Sequence, residues 1–139
     1  MYEELLPLAV TLVNELIDSI DDGKIGLKET EEKVLEFTNM LGGLMIETII
    51  QKVEEPTTEN SIIVDEKGAH YDKVRPVVFI SRFGNRVERK RRCYKITGGG
   101  GIAPLDERLG IDFCTGFSPL LTYLISTFGG SGAFASEAN

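Results

Sequence analysis

The hydrophobic pattern switches from helical to strand period at the polar stretch Pro56-Thr57-Thr58-Glu59-Asn60, which predicts a helical part followed by a β part. Ahead of the change, Leu5, Ala9, Leu12, Leu16 and Ile20 recur at helical spacing with Leu6, Val13 and Ile17 beside them, which predicts an amphipathic helix over residues 2 to 20. Asp21-Asp22-Gly23 ends it, with Gly23 suited to the left-handed position just past a helix. A second helix is predicted from about 28 to 54, stopping before Pro56 because the residue ahead of a proline avoids helical dihedrals. Its stripe is Val34, Phe37, Leu41, Leu44/Met45, Ile49 and Val53. Gly42-Gly43 inside it costs about 1 kcal/mol per Gly relative to Ala, which implies a kink or the close approach of another helix. The two helices are expected to pack as an antiparallel hairpin. The second stripe runs for about seven turns at 3.6 residues per turn, longer than the first helix can cover, so self-association through residues 28 to 54 is expected.

After Asn60 the alternation is that of strands. Residues 61 to 64 predict a short strand closed by Asp65-Glu66-Lys67-Gly68. Residues 76 to 82 form a β-rich run, Phe83-Gly84-Asn85 a turn, and residues 86 to 96 a return strand. Alternation puts Val87, Arg89, Arg91 and Cys93 on one face of that strand and Glu88, Lys90, Arg92 and Tyr94 on the other. Neither face is cleanly apolar, so the strand is expected at an edge or widely solvated. Gly98-Gly99-Gly100-Gly101 reads as a flexible joint. Residues 103 to 110 read as one helical turn closed by Gly110. Ser118-Pro119 starts a further helix, Ser118 as N-cap and Pro119 at the first helical position, running to about 128. Residues 133 to 139 resemble the first turn of another helix. The expected fold is α+β: an N-terminal helical hairpin, a central antiparallel β element with a basic hairpin, and a short C-terminal helix. Three regions follow: 1–55 acidic and helical, 56–97 the basic β-hairpin region, and 98–139 the Gly-rich joint and C-terminal helix.

Charge is divided along the same line. From Lys73 to Lys95 there are nine Lys/Arg against one acid, Glu88, a local balance of +8, in a chain of net charge −7. The first 60 residues carry 14 acids against four Lys, a balance of −10. Surface potential is set locally, so a basic strip on an acidic body implies either a polyanion contact or a docking site for the chain's own acidic half. Arg is denser than Lys in the strip, and its guanidinium binds phosphate in bidentate fashion. The expectation is therefore low-specificity contact with DNA backbone through Arg82, Arg86, Arg89, Lys90, Arg91, Arg92 and Lys95, with Arg89, Arg91 and Arg92 contributing most. A solvated edge strand whose charges discourage sheet aggregation is the plainer alternative.

Little else in the chain carries chemistry. The four glycines lack the Lys-Ser/Thr pair of a phosphate loop. His70 is the only histidine and has no metal-ligand partner at suitable spacing. Asp106 and Glu107 are adjacent and point apart on a helix, so they read as first-turn acids favoured by the helix dipole. Cys93 lies beside Arg91, Arg92 and Lys95 but has no neighbouring base. No catalytic residue, metal site or cofactor is expected, and the chain is not expected to be an enzyme. No apolar run approaches the roughly 20 residues that span a bilayer. Glu3 and Glu4 stand where a secretory signal needs basic residues. The cytoplasm of a prokaryote is the expected compartment.

An ordered series of short motifs adds to this reading. It runs Arg82-Phe83-Gly84-Asn85-Arg86-Val87-Glu88-Arg89-Lys90-Arg91-Arg92-Cys93-Tyr94, then Gly101-Ile102-Ala103-Pro104-Leu105-Asp106-Glu107-Arg108-Leu109-Gly110, then Phe117-Ser118-Pro119. The series resembles the N-terminal region of the ISKra-type family of insertion-sequence transposases, and residues 29 to 53 are similar to the helical segment ahead of it. The resemblance covers about residues 29 to 139. Its Cys-x-x-Cys element falls on Lys95 and Gly98, so it implies no zinc site here. The family continues into an RNase H-like core with three catalytic carboxylates, and strand cleavage needs such carboxylates to hold metal ions. The resemblance thus implies a non-catalytic accessory region related to DNA transposition, as a decayed remnant or a short stand-alone protein. The alternative is a protein-interaction module, a dominant-negative regulator that pairs with a full-length transposase.

Overall fold

The structure, a computed structural model, describes residues 2–111 and 116–129. The fold is α+β: two N-terminal helices, a four-stranded antiparallel sheet and short C-terminal helices. Helix α1 spans Leu5–Asp21 after a single 3-10 turn, and α2 spans Leu27–Lys52. Gly23 closes α1 as its sequence suggests: with φ +72°, its N–H donates to Ile20 O while that of Lys24 donates to Ser19 O, the paired bonds of a Schellman motif. At the start of α2 the Glu29 carboxylate accepts from the Gly26 N–H at 3.1 Å. Glu3 at the start of α1 and Lys52 at the end of α2 lie close enough for their charges to interact, as the antiparallel arrangement of the two helices brings about.

The sheet order is β1-β2-β3-β4, from β1 Ser61–Val64, β2 Lys67–Ile80, β3 Arg86–Ile96 and β4 Gly101–Ile102. A two-residue turn joins β1 to β2, with Asp65 and Glu66 both at positive φ, the twist that tight hairpins favour. Strand β2 is twice as long as the β-rich run in the sequence, beginning at Lys67 rather than at 76. Its first half was hidden by Asp72, a bulge between Tyr71 and Lys73 that breaks the alternation. Pro76, which has no N–H for a ladder, lies beyond the reach of β1 where one edge of β2 is open. Residues 116–118 return to the end of that edge through the Ile80–Phe117 bridge and lead into α4, Pro119–Leu124. Ser118 caps α4, its hydroxyl accepting from the Leu121 N–H at 3.2 Å. Helix α3, Pro104–Leu109, ends at Gly110 in the left-handed conformation.

Strand β3 is at an edge over residues 86–93, as expected, and only Tyr94 and Lys95 pair with β4, but it is not widely solvated, because Val87, Arg91 and Tyr94 are buried. Two expectations need correction. The four glycines do not form a joint between domains. Gly98, Gly99 and Gly100 take positive φ in the β3–β4 turn, held by Ile96 N–H to Gly100 O at 3.0 Å, and Gly101 begins β4. What approaches Gly42 and Gly43 is no helix but the turn between β2 and β3. The Phe83 ring lies against Gly42, and Asn85 Nδ2 donates to Gly43 O at 3.0 Å. That turn is itself braced, with the Ser81 hydroxyl bonded to Asn85 Oδ1 and the Ser81 N–H to Asn85 O.

The sheet core is Val77, Phe79 and Val87 with Ala103 and Leu105 from the α3 segment, all buried. The helical hairpin buries far less. Of the stripe expected on α1, Leu5 and Leu16 are buried and Ala9 and Leu12 half-buried, while Ile20 is exposed. On α2, Phe37, Leu41, Leu44 and Val53 are half-buried, whereas Val34, Met45 and Ile49 are exposed. No described helix is long and apolar enough to cross a membrane.

The Gly42–Phe83 contact is open to test. Ala in place of an exposed helical Gly ordinarily stabilises by about 1 kcal/mol. Here an added Cβ would overlap the Phe83 ring. Gly42→Ala is expected to lower the urea midpoint in the wild-type background and to raise it in a Phe83→Ala background.

Candidate nucleic-acid interface

The basic strip folds onto β3 and the turn before it, and the packing divides its seven cations into two groups. Alternation sends Arg91 to the face of the sheet that carries Val77, Phe79 and Val87, and α3 closes over that face. A guanidinium in such a place must be paired, because an isolated buried charge is far too costly. Asp106, in the first turn of α3, supplies the pair. Arg91 Nε and Nη2 donate to Asp106 Oδ1 and Oδ2 at 2.9 and 2.8 Å, and Nη1 donates to Arg75 O at 3.0 Å. Both side chains are about 4% and 3% exposed. The Asp106 carboxylate, foremost through these hydrogen bonds, holds the Arg91 guanidinium above its ordinary basicity, against the opposing effect of burial. Asp106 is therefore the partner of Arg91 and not merely a first-turn acid.

Arg89 turns to the end of α2. Its Nη1 donates to the carbonyls of Ile50, Gln51 and Val53 at 2.6, 3.1 and 2.8 Å. The last carbonyls of a helix lack partners within it and carry the negative end of its dipole, so a cation there satisfies both. Gln51 adds a bond from its Nε2 to Glu88 O. Arg92 serves the linker. Its guanidinium stacks 4.1 Å from the Tyr71 ring centre and donates to Asn60 Oδ1 at 2.9 Å and to Tyr94 Oη at 3.1 Å. The Tyr94 hydroxyl donates to Glu59 O, and the Arg92 N–H donates to Glu55 Oε1 at 2.9 Å. Arg89, Arg91 and Arg92, expected to lead a phosphate contact, spend these donors on internal partners, and Arg91 is buried while Arg89 and Arg92 are half-buried.

The other four cations are exposed but do not form one patch. Arg82 lies in the β2–β3 turn, Arg86 begins β3 with a loose 3.9 Å approach to Glu88, and Lys90 lies midway along the strand. Lys95 is at the far end, roughly 30 Å from Arg86 at about 3.3 Å per residue, and faces Asp72 at 3.8 Å. Asp72 also meets Arg75 at 3.9 Å. Asp72, Arg75, Cys93 and Lys95 open onto a cavity of about 460 Å³ whose other wall is the turn at Gly99–Gly101. No acid–base pair or nucleophile–base pair is assembled there. His70 is exposed on β2, and among the described residues no group of three or more His, Cys, Asp or Glu is arranged to hold a metal ion. Cys114 and the helical turn expected at 133 to 139 lie outside the described residues.

Sequence reasoning missed the partners Asp106, Asn60 and Tyr71. One signal was available: Arg89 and Arg91 share a strand face with Val87, so each needs an internal acceptor, which Arg89 finds in carbonyls and Arg91 in a carboxylate. Comparison with family models, with curated proteins and with solved structures finds no match.

Breaking a buried pair by removing one partner typically costs about 3–5 kcal/mol, whereas replacing both by apolar groups is often neutral. Asp106→Ala is expected to lower folding stability by that amount in urea melts followed by circular dichroism. The double change Arg91→Met with Asp106→Leu is expected to recover most of the loss. An unchanged midpoint in Asp106→Ala would contradict the assignment.

Proposed function

We propose that the chain is a non-catalytic accessory module that works by contact, joining a second copy of itself through the apolar face of α1 and α2. The supporting observation is the number of large aliphatic side chains left exposed on both helices, among them Leu6, Leu8, Val10, Val13, Ile17, Leu27, Val34, Leu35, Met45 and Ile49. A monomer rarely leaves a contiguous apolar patch larger than about 300–600 Å² bare, and larger ones mark interaction sites. The resemblance to transposase N-terminal regions is the ground for placing such a module beside DNA transposition. In that setting the same helices would pair it with a full-length relative and make it a dominant-negative regulator. Multi-angle light scattering across a concentration series is expected to show a dimer or larger assembly, and a monomeric mass persisting to millimolar protein would overturn the reading.

A second reading, contact with nucleic-acid backbone, is favoured by the exposure of Arg82, Arg86 and Lys90 around the turn end of β3. Three neutralised phosphates correspond to a log K against log salt slope of about −3. Changing these three residues to Ala is expected to weaken binding to unrelated DNA sequences almost equally, since backbone contacts carry no sequence information. Absence of DNA binding by the wild-type protein at low salt would exclude this reading.

A further inference from the structure

Helix α1 carries two apolar stripes, and the fold uses only one. Leu5, Ala9, Leu12 and Leu16 form the buried or half-buried stripe. Leu6, Val10, Val13, Ile17 and Ile20 form the other, 74, 55, 54, 50 and 45% exposed. At 100° per residue these five lie within about 40° of a common line, one residue's rotation away from the buried stripe. Their spacing alternates four, three, four, three. That is the interval of a coiled-coil seam, whose knobs fit the holes of a facing seam of the same kind.

We propose that this stripe is the axis of a two-fold dimer in which α1 packs antiparallel against α1 of a second copy, with Val13 nearest the axis and Leu6 opposite Ile20 of the second copy. The proposal rests on the self-association reading above and assigns its geometry. Three observations select this occupant and orientation. First, the seam alone bares on the order of 500 Å² of side-chain surface, more than half of the roughly 800 Å² per partner of a stable interface, and α2 leaves Leu27, Val34, Met45 and Ile49 exposed as well. Second, an isologous interface presents the same patch from both copies, and a seam with one heptad interval along its length is complementary to itself. Third, charge sets the direction. The second half of α1 holds Glu15 and Asp18, followed by Asp21 and Asp22, and the helix contains no Lys or Arg. A parallel pair would stack these acids against their own copies. An antiparallel pair sends Glu15 and Asp18 of the two copies apart, leaves only Asp21 and Asp22 beside Glu3 and Glu4 of the second copy, and also opposes the helix dipoles. The hairpin then doubles into four helices, burying the stripe that a single copy leaves in water.

Single-cysteine variants in a Cys93→Ser, Cys114→Ser background test the geometry, because a disulfide needs Cα atoms roughly 4.4–6.8 Å apart. On mild oxidation Val13→Cys is expected to cross-link with itself. Leu6→Cys is expected to link with Ile20→Cys when the two are mixed, and not with itself. Efficient self-linking of Leu6→Cys would show a parallel seam and overturn the proposal. A dimeric mass with no cross-link at any of these positions would overturn the α1 seam while leaving self-association standing, and a monomeric mass would remove both. Val13→Glu is expected to give a monomer of unchanged helix content. Because acids flank the seam, dimerisation should tighten several-fold from low to high salt as repulsion is screened. Weakening with salt would mean that ion pairs hold the dimer, against this assignment.

Discussion

Much of the molecule is arranged around the buried pair of Arg91 and Asp106. The guanidinium sits on the apolar face of the sheet, where only a bidentate carboxylate and one further acceptor make a full charge tolerable. That requirement fixes α3 over β3, and with α3 come Ala103 and Leu105, which close the core over Val77, Phe79 and Val87. The Gly-rich turn and β4 follow, since they connect the end of β3 to the helix that holds the carboxylate. An apolar pair of equal volume could stabilise this site as well. The ion pair ties β3 to a six-residue helix too short to be stable by itself.

The same economy explains the basic strip. A strongly acidic N-terminal half and a basic hairpin suggest attraction between carboxylates and guanidinium groups, and the two halves do dock, but largely through other groups. Arg89 binds three carbonyls at the end of α2, and Arg92 binds the linker through Asn60 and the two tyrosines. Carbonyls at a helix end supply a concentrated partial negative charge without the desolvation cost of a carboxylate. The strip therefore joins the helical hairpin to the sheet, together with the Phe83 and Asn85 contacts at Gly42 and Gly43. A dense run of arginines is not in itself a surface for a polyanion. Solvent-facing cations remain only outside that packing, at Arg82, Arg86, Lys90 and Lys95.

The helical hairpin stands in contrast. The sheet covers its core with α3 and pairs Arg89, Arg91 and Arg92, leaving Ile63 and Val74 as its large exposed apolar side chains among the described residues. The helices touch the sheet mainly through the last half of α2 and leave aliphatic side chains in water along both α1 and α2. Most of the buried apolar side chains thus belong to the β part, and most of the exposed large ones to the helices. This division between a covered sheet core and an incomplete helical layer is what the proposed function is built on.

The elements were legible from the residues because local chemistry determines them. The period of the apolar residues marked α1 and α2, Gly23 and Gly110 marked helix ends, Ser118-Pro119 marked a start, and the alternation after residue 60 marked β1 and the hairpin. The first half of β2 was not legible, because the bulge at Asp72 shifts the alternation and no local property announces a bulge. The seam Leu6, Val10, Val13, Ile17 and Ile20 is visible as spacing, but the sequence does not say which of two adjacent stripes a helix will bury. Nor does it show which arginines face solvent. Arg86 and Arg91 are the same residue type on the same strand, yet one is exposed and the other is sealed beneath Asp106 from a helix 15 positions later. By itself the sequence determined where the helices and the main hairpin form, since these follow from neighbours within a few residues, but not the first half of β2 or β4, which depend on pairing. Only the tertiary structure decided what each charge and apolar stripe is for, since a side chain's partners come from segments that are distant until the chain folds.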